Sequence, residues 1–290
     1  MTKNRLLLML LAVLALALLV GCGSDDSSDD GGASDDATVA ASDCTPESLD
    51  TYKDGVLTVG TDSPAYPPYF EDDDPTNGRG FESAVAYAIA GELGFADSEV
   101  EWAKIPFNAS YAPGPKKFDF DVNQISITPA REKAVTFSTP YYTANQAVLV
   151  AKGSDLEDVT DLDQLKDVQI GVQIGTTSLE AVNDEIKPTT EPKVFDNSND
   201  VVTALKQGQV DAVVLDLPTA IYLRDAELPG SKVVGQFEDE DGDQWGALMS
   251  KDSSLAACVN KAIESLDESG RLEEITDQWM SDSASAPKLD

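Results

Sequence analysis

The sequence predicts an α/β protein of two lobes joined by two crossovers, and three observations carry that expectation. Short apolar, β-branched runs alternate with segments of helical spacing from Val56 to Met280. The alternation starts afresh after Val148-Leu149-Val150-Ala151, which marks a second lobe. Trp245-Gly246-Ala247-Leu248-Met249 then reads as a strand leading back into the first.

Each element follows from its own residues. Val56 to Gly60 is a buried strand, and Gly80 to Leu93 has helical spacing with Gly94 as its stop. Val100 to Ile105 and Asp121 to Thr128 read as the next two strands. In the second lobe, Thr160 to Lys166 is a short helix, Val168 to Val172 a strand and Thr176 to Glu185 a helix. Val194-Phe195 is a short strand, Asn199 to Lys206 a helix, and Asp211 to Leu215 a strand. Pro218 to Arg224 follows as a helix with proline in its first turn, where a missing N–H costs nothing. The acidic turn Glu238 to Asp243 precedes the returning strand, and helices at Leu255 to Leu266 and Arg271 to Met280 close the chain. Such alternation implies parallel sheets covered on both faces by helices. The boundaries expected are 44–148 and 246–290 for lobe 1 and 149–245 for lobe 2, with crossovers near 147–152 and 243–249.

The first 43 residues are of another kind. Lys3 and Arg5 precede an unbroken apolar run from Leu6 to Val20, too short to span a membrane and suited to a signal peptide over residues 1–21. The run ends Leu19-Val20-Gly21-Cys22, which looks like the lipobox at which bacterial lipoproteins are cleaved, leaving Cys22 lipid-modified. An ordinary signal peptide with a chance cysteine is the alternative. After Cys22, residues 23–43 are almost all Ser, Asp, Gly and Ala with almost nothing to bury, so residues 22–43 are expected to form an acidic tether. The folded part is therefore expected at the extracytoplasmic face of the membrane, anchored by lipid.

Charge and composition exclude several classes of function. The chain carries a net charge of −33, which becomes −35 when Lys3 and Arg5 leave with the leader. Nucleic acid and anionic membrane surfaces are poor partners for such a protein. There is no histidine, which removes the commonest general base, the Ser-His and Cys-His nucleophiles and most zinc sites. No cofactor and no metal are expected. Outside the cytoplasm Cys44 and Cys258 are expected to form a disulfide, with two buried thiols as the alternative.

Three places carry chemistry. Ile125-Ser126-Ile127-Thr128-Pro129-Ala130-Arg131 puts a guanidinium just past a strand and a hydroxyl cluster, where its fork of donors matches a carboxylate. A surface arginine opening a helix would look the same. Gly175-Thr176-Thr177 lies between a strand and a helix, where N–H groups attract an anion; a plain capped turn is the alternative. Asp216 follows Ala212-Val213-Val214-Leu215 at the carboxyl end of a strand, where open α/β sheets bind ligands. It suits an ammonium group, or else caps the helix from Pro218.

Taken in order, the motifs resemble those of the extracellular solute-binding proteins of family 3. These are Val59-Gly60-Thr61-Asp62 with Tyr66-Pro67-Pro68-Tyr69, Gly80-Phe81-Glu82, the Arg131 run with Phe137-Ser138-Thr139-Pro140-Tyr141, and Gly171-Val172-Gln173 with Gly175-Thr176-Thr177. Asp211 to Asp216, Gly270-Arg271-Leu272 and Trp279 complete the set. The resemblance implies a periplasmic-binding-protein-like type II fold, with a cleft between the lobes and a polar amino acid delivered to ABC permease subunits by a monomer. It implies that Arg131 clamps the ligand α-carboxylate with Ser126 and backbone N–H groups of Thr176 and Thr177, and that Asp216 takes the α-ammonium. It places Tyr66 and Phe107 against the ligand side chain, makes Asp62 a polar contact and has Gln124 offer its backbone.

Two departures stand out. Where the family often carries a second acid, the first helix reads Gly80-Phe81-Glu82-Ser83-Ala84; the family's second acid is absent, and Glu82 stands as a candidate ligand residue without it. Pro106 to Pro115 holds three prolines and a glycine where the family has a leucine-rich helix, which makes a regular helix implausible. Two other functions fit the same scaffold: a sensor or adaptor domain, and a secreted cyclohexadienyl-dehydratase-like enzyme with Glu82, Asp62 or Asp216 as its acid. Glutamine, a basic amino acid, cystine or an opine-like compound all suit the arginine clamp. The acidic surface and Glu82 lean toward a cationic side chain.

Overall fold

Two five-stranded mixed sheets, each with its own helices, make up the structure, a computed structural model that describes residues 44–237, 242–280 and 286–289. The expected leader, tether and lipidated Cys22 lie outside the described residues. Among the described residues no helix is long and apolar enough to cross a membrane.

The first sheet has the order β2-β1-β3-β10-β4. Its strands are β1 (Leu57–Thr61), β2 (Val100–Lys104), β3 (Phe120–Asp121), β4 (Val135–Ala144) and β10 (Asp243–Ser250). The second has the order β7-β6-β8-β5-β9. It comprises β5 (Gln146–Val150), β6 (Ile170–Gln173), β7 (Lys193–Phe195), β8 (Ala212–Asp216) and β9 (Lys232–Phe237). All five residues of β1 and of β5 are buried, as continuous apolar runs require when both faces are covered.

The sheets are mixed, not wholly parallel as alternation implied. β1 pairs in parallel with β2 and β3, and β6 with β7 and β8, but β10 and β5 run antiparallel to their neighbours. The reason is connectivity: β5 and β10 each follow a crossing between lobes. They enter their sheets at the end where the parallel strands finish, and so run the opposite way. The arrangement has a functional consequence, because the first residue of β5, Gln146, is paired with the last residue of β8, Asp216. The crossings fall at 144–146 and between Phe237 and Asp243, a few residues before the positions expected from sequence.

Helices α1 (Phe81–Glu92), α6 (Ala256–Glu268) and α7 (Arg271–Met280) pack on the first sheet around Phe81, Ile89, Trp245, Val259 and Ile275. Cys44 and Cys258 are bonded, tying the start of the described chain to α6. In the second lobe, α3 (Thr177–Ala181), α4 (Ser198–Lys206) and α5 (Leu217–Tyr222) cover a sheet with a separate apolar cluster on each face. Both α3 and α5 widen into a π-turn, at Val182–Ile186 and Leu223–Glu227.

Some elements differ from expectation. The strand expected over 121–128 ends at Asp121, because Gln124 has a left-handed backbone (φ 50°) that breaks the ladder. Residues 160–166 form only a 3-10 turn, Leu162–Leu165, capped by Asp161. The proline-rich stretch holds one helical turn, α2 (Phe107–Ser110), before becoming irregular. The chain end, placed with lobe 1 from sequence, returns to lobe 2: Lys288 bridges Gln236 on the edge strand β9, and Leu289 is buried in that lobe's core.

Candidate ligand-binding site

A cavity of about 650 Å³ lies where the carboxyl ends of both sets of parallel strands converge, lined by both lobes. Of the ten residues expected there from sequence, Asp62, Tyr66, Phe107, Gln124, Ser126, Arg131, Thr176, Thr177 and Asp216 line it. Glu82 does not.

Arg131 opens a 3-10 turn after Thr128, whose hydroxyl accepts its backbone N–H at 3.2 Å. Its side chain is 8% exposed. Nη1 donates to the carbonyl of Ser126 at 2.7 Å and Nη2 to that of Gly175, in the other lobe, at 2.9 Å. The guanidinium carbon lies 4.8 Å from the ring centre of Tyr111 and 5.6 Å from that of Phe107. Burial lowers its pKa, yet a guanidinium stays charged in any protein. It is a buried cation within cation–π distance of two aromatic rings set edge to face, and it lines the cavity; it is not a surface residue. Gly175 has φ +75°, and a Cβ there would collide with Tyr111 and Asn108, so the close approach of the lobes needs glycine.

Asp216 ends β8 at the N-cap position of α5, but its side chain makes no capping bond. Its Oδ1 instead accepts from Gln146 Nε2 at 2.8 Å. Burial, and then the charge of Asp243, push this carboxyl up to about 8, with the guanidinium of Arg131 opposing them. A cation placed against it would hold it ionised. Thr176 caps α3 by accepting Leu179 N–H at 3.2 Å, and its hydroxyl donates to the Gln173 carbonyl at 2.8 Å. The Thr177 hydroxyl meets that of Ser126 across the lobes at 3.2 Å. Asp62 accepts from the backbone N–H of Ser63 at 2.7 Å and of Phe107 at 3.1 Å, which aims it and the aromatic ring together.

Glu82 is fully buried under the cavity floor. It accepts from the Tyr141 hydroxyl at 2.6 Å and from the Gln124 backbone N–H at 2.7 Å, and also from the Gln124 side-chain amide. Its place in the first turn of α1, packed under Gln124, keeps it from the ligand. It therefore lends no support to a cationic ligand; it holds Gln124 in its left-handed conformation. Burial pushes its carboxyl up to about 7. A carboxyl raised on folding binds its proton more tightly folded than unfolded, so its contribution to stability falls as pH rises from about 4 to 8. The loss is about 3 kcal/mol. Urea denaturation of native protein and Glu82→Gln at pH 4 and pH 8 should show the native form losing that much relative to the variant. An unchanged difference would show that Glu82 titrates as it does in water.

Several cleft residues were not anticipated. Tyr69 reaches across the lobes to the Thr219 hydroxyl at 2.8 Å. Thr219 stands one turn beyond Asp216, and Tyr69 closes the Tyr66-Pro67-Pro68-Tyr69 motif, so both had a local signal. Asn197, Ser198 and Asn199 at the start of α4, with Tyr222 and Glu227, complete the wall with no signal beyond polarity.

Two α/β lobes around a cleft, with a cation on one wall and a carboxylate on the other, define a solute-binding protein. Residues 57–282 match the bacterial extracellular solute-binding proteins, family 3, and the chain belongs to that family. It is 30% identical to the arginine-binding extracellular protein ArtP of Bacillus subtilis, over 77% of this chain and 85% of that one. It is 28% identical to the ABC transporter glutamine-binding protein GlnH of the same organism, over 96% and 97%. An ancestral arginine-binding protein bound to glutamine superposes with a TM-score of 0.65 at 35% identity, covering 77% of this chain and 97% of that structure.

Proposed function

We propose that this chain is the substrate-binding lipoprotein of an ABC importer, capturing a polar amino acid between its lobes and delivering it to the permease. The observation that carries this proposal is the placement of Arg131 on one lobe and Asp216 on the other, both lining one cavity. A zwitterion needs one cationic and one anionic partner, and only closed lobes supply both. Arg131, with Ser126 and the N–H groups of Thr176 and Thr177, holds the α-carboxylate. Asp216 holds the α-ammonium. Tyr66 and Phe107 flank the ligand side chain, and Asp62 beside them favours a cationic one, in keeping with the arginine-binding relatives. The closed form, reached by hinge bending, is what the permease recognises. The lipid on Cys22 keeps the monomeric protein at the outer face of the membrane.

A thermal-shift screen against the amino acids tests this directly. Ligand at 100 times its Kd adds about 2.7 kcal/mol of stability, or roughly 5–10 °C for a domain of this size. A shift confined to one class of amino acid is expected, and no shift with any would contradict capture of a zwitterion. We read the protein as a binding protein and not an enzyme. Of the acids a dehydratase on this scaffold could use, Glu82, Asp62 and Asp216, the first does not line the cavity and the last holds the ligand ammonium in this reading; turnover of prephenate or arogenate would overturn that part.

A further inference from the structure

Gln146 is the first residue of β5, immediately after the first crossing, and is 2% exposed. Its Nε2 carries two N–H groups. One goes to Asp216 Oδ1 at 2.8 Å, and the other to Oδ2 of Asp243, a residue 5% exposed at the start of β10, immediately after the second crossing. Among the described residues its Oε1 has no protein hydrogen-bond partner. Flipping the amide would set that oxygen against the carboxylate of Asp243, which favours the orientation found. Two acidic side chains, one from each lobe, are thus held together by one amide beside the cavity, although Asp243 itself does not line it.

We propose that Asp243 is a positioning residue that makes the cleft demand a cationic group on its ligand: through Gln146 it aims Asp216, and its charge deepens the negative potential there. The proposal rests on Asp216 holding the ligand ammonium. Burial and Asp243 push the Asp216 carboxyl up to about 8, so above that pH a ligand carrying a cation at that point offsets both carboxylates, whereas one without leaves them opposed in a desolvated site. The other charged and titratable groups that act on Asp216 are Arg131, Glu82 and Tyr69; Arg131 alone is cationic, and its guanidinium is engaged by the Ser126 and Gly175 carbonyls.

The test compares L-arginine with 5-guanidinopentanoate, the same molecule lacking its α-amine, on native protein and Asp243→Asn by titration calorimetry at pH 8.5, where the Asp216 carboxyl is mostly ionised. Native protein should prefer arginine by 100-fold or more, and the variant's preference should fall by about tenfold. A general packing defect would weaken both ligands alike and leave the ratio unchanged, as would a residue with no part in discrimination; an unchanged ratio overturns the proposal. Carbon-13 NMR of the Asp216 carboxyl supplies a readout that needs no ligand. Its titration midpoint should fall in Asp243→Asn, and a midpoint that stays put overturns the coupling even if no amino acid binds. Asp243→Ser serves the same comparison should the Asn variant not fold.

Discussion

Arg131→Ala is expected to weaken amino-acid binding by about 10³-fold or more while leaving the protein folded. Hydrogen bonds to a charged group contribute about 1.5–3 kcal/mol each, and a carboxylate held by a guanidinium fork loses two at once. The same change removes the bond from Nη2 to the Gly175 carbonyl and the cation–π contacts with Tyr111 and Phe107, so the closed arrangement loses part of its own support. Arg131→Lys keeps the charge but not the planar fork, and should fall between the two. Calorimetry with the best ligand measures the effect, and the far-ultraviolet spectrum and melting curve show whether the fold survives. A loss of less than tenfold would mean that the carboxylate sits elsewhere.

Replacing both Cys44 and Cys258 by serine should cost about 5 kcal/mol of stability, because the bond closes a loop of 214 residues. For a domain of this size that is a fall in melting temperature of roughly 10–20 °C. The bond joins a segment with little core of its own, beginning at Cys44, to the buried face of α6, where Val259, Ala262 and Ile263 pack. Denaturation with and without reductant, beside the double variant, separates loss of the bond from loss of the sulfur atoms. A change under 1 kcal/mol would mean that the unfolded chain gains little freedom when the link is cut.

The parts of this structure visible in the sequence are those with a local signature. Arg131 stands three residues after a hydroxyl that caps its turn, and Asp216 follows four apolar strand residues and precedes a proline, so both could be placed at strand ends. What was hidden depends on contacts between distant segments. Gln146 meets residues 70 and 97 positions away, and nothing near it in the chain announces either. Glu82 shows the opposite difficulty. An acid in the first turn of a helix reads the same whether it faces ligand or core, and only the packing of Gln124 and Tyr141 upon it decides. The antiparallel strands escaped notice because direction in a sheet is set by where the chain enters it. β4 escaped because Pro140 and its hydroxyl residues mask a strand whose irregular pairing accommodates them.

One ligand held at two charges from opposite lobes is the arrangement on which capture depends. The most direct test takes the amino acid that gives the largest thermal shift and measures its Kd beside those of two analogues, one lacking the α-carboxylate and one the α-ammonium. Each analogue is predicted to bind at least 100-fold more weakly than the parent. An analogue that binds as tightly as the parent would show that the missing charge is not held, and that Arg131 and Asp216 do not grip a zwitterion between them.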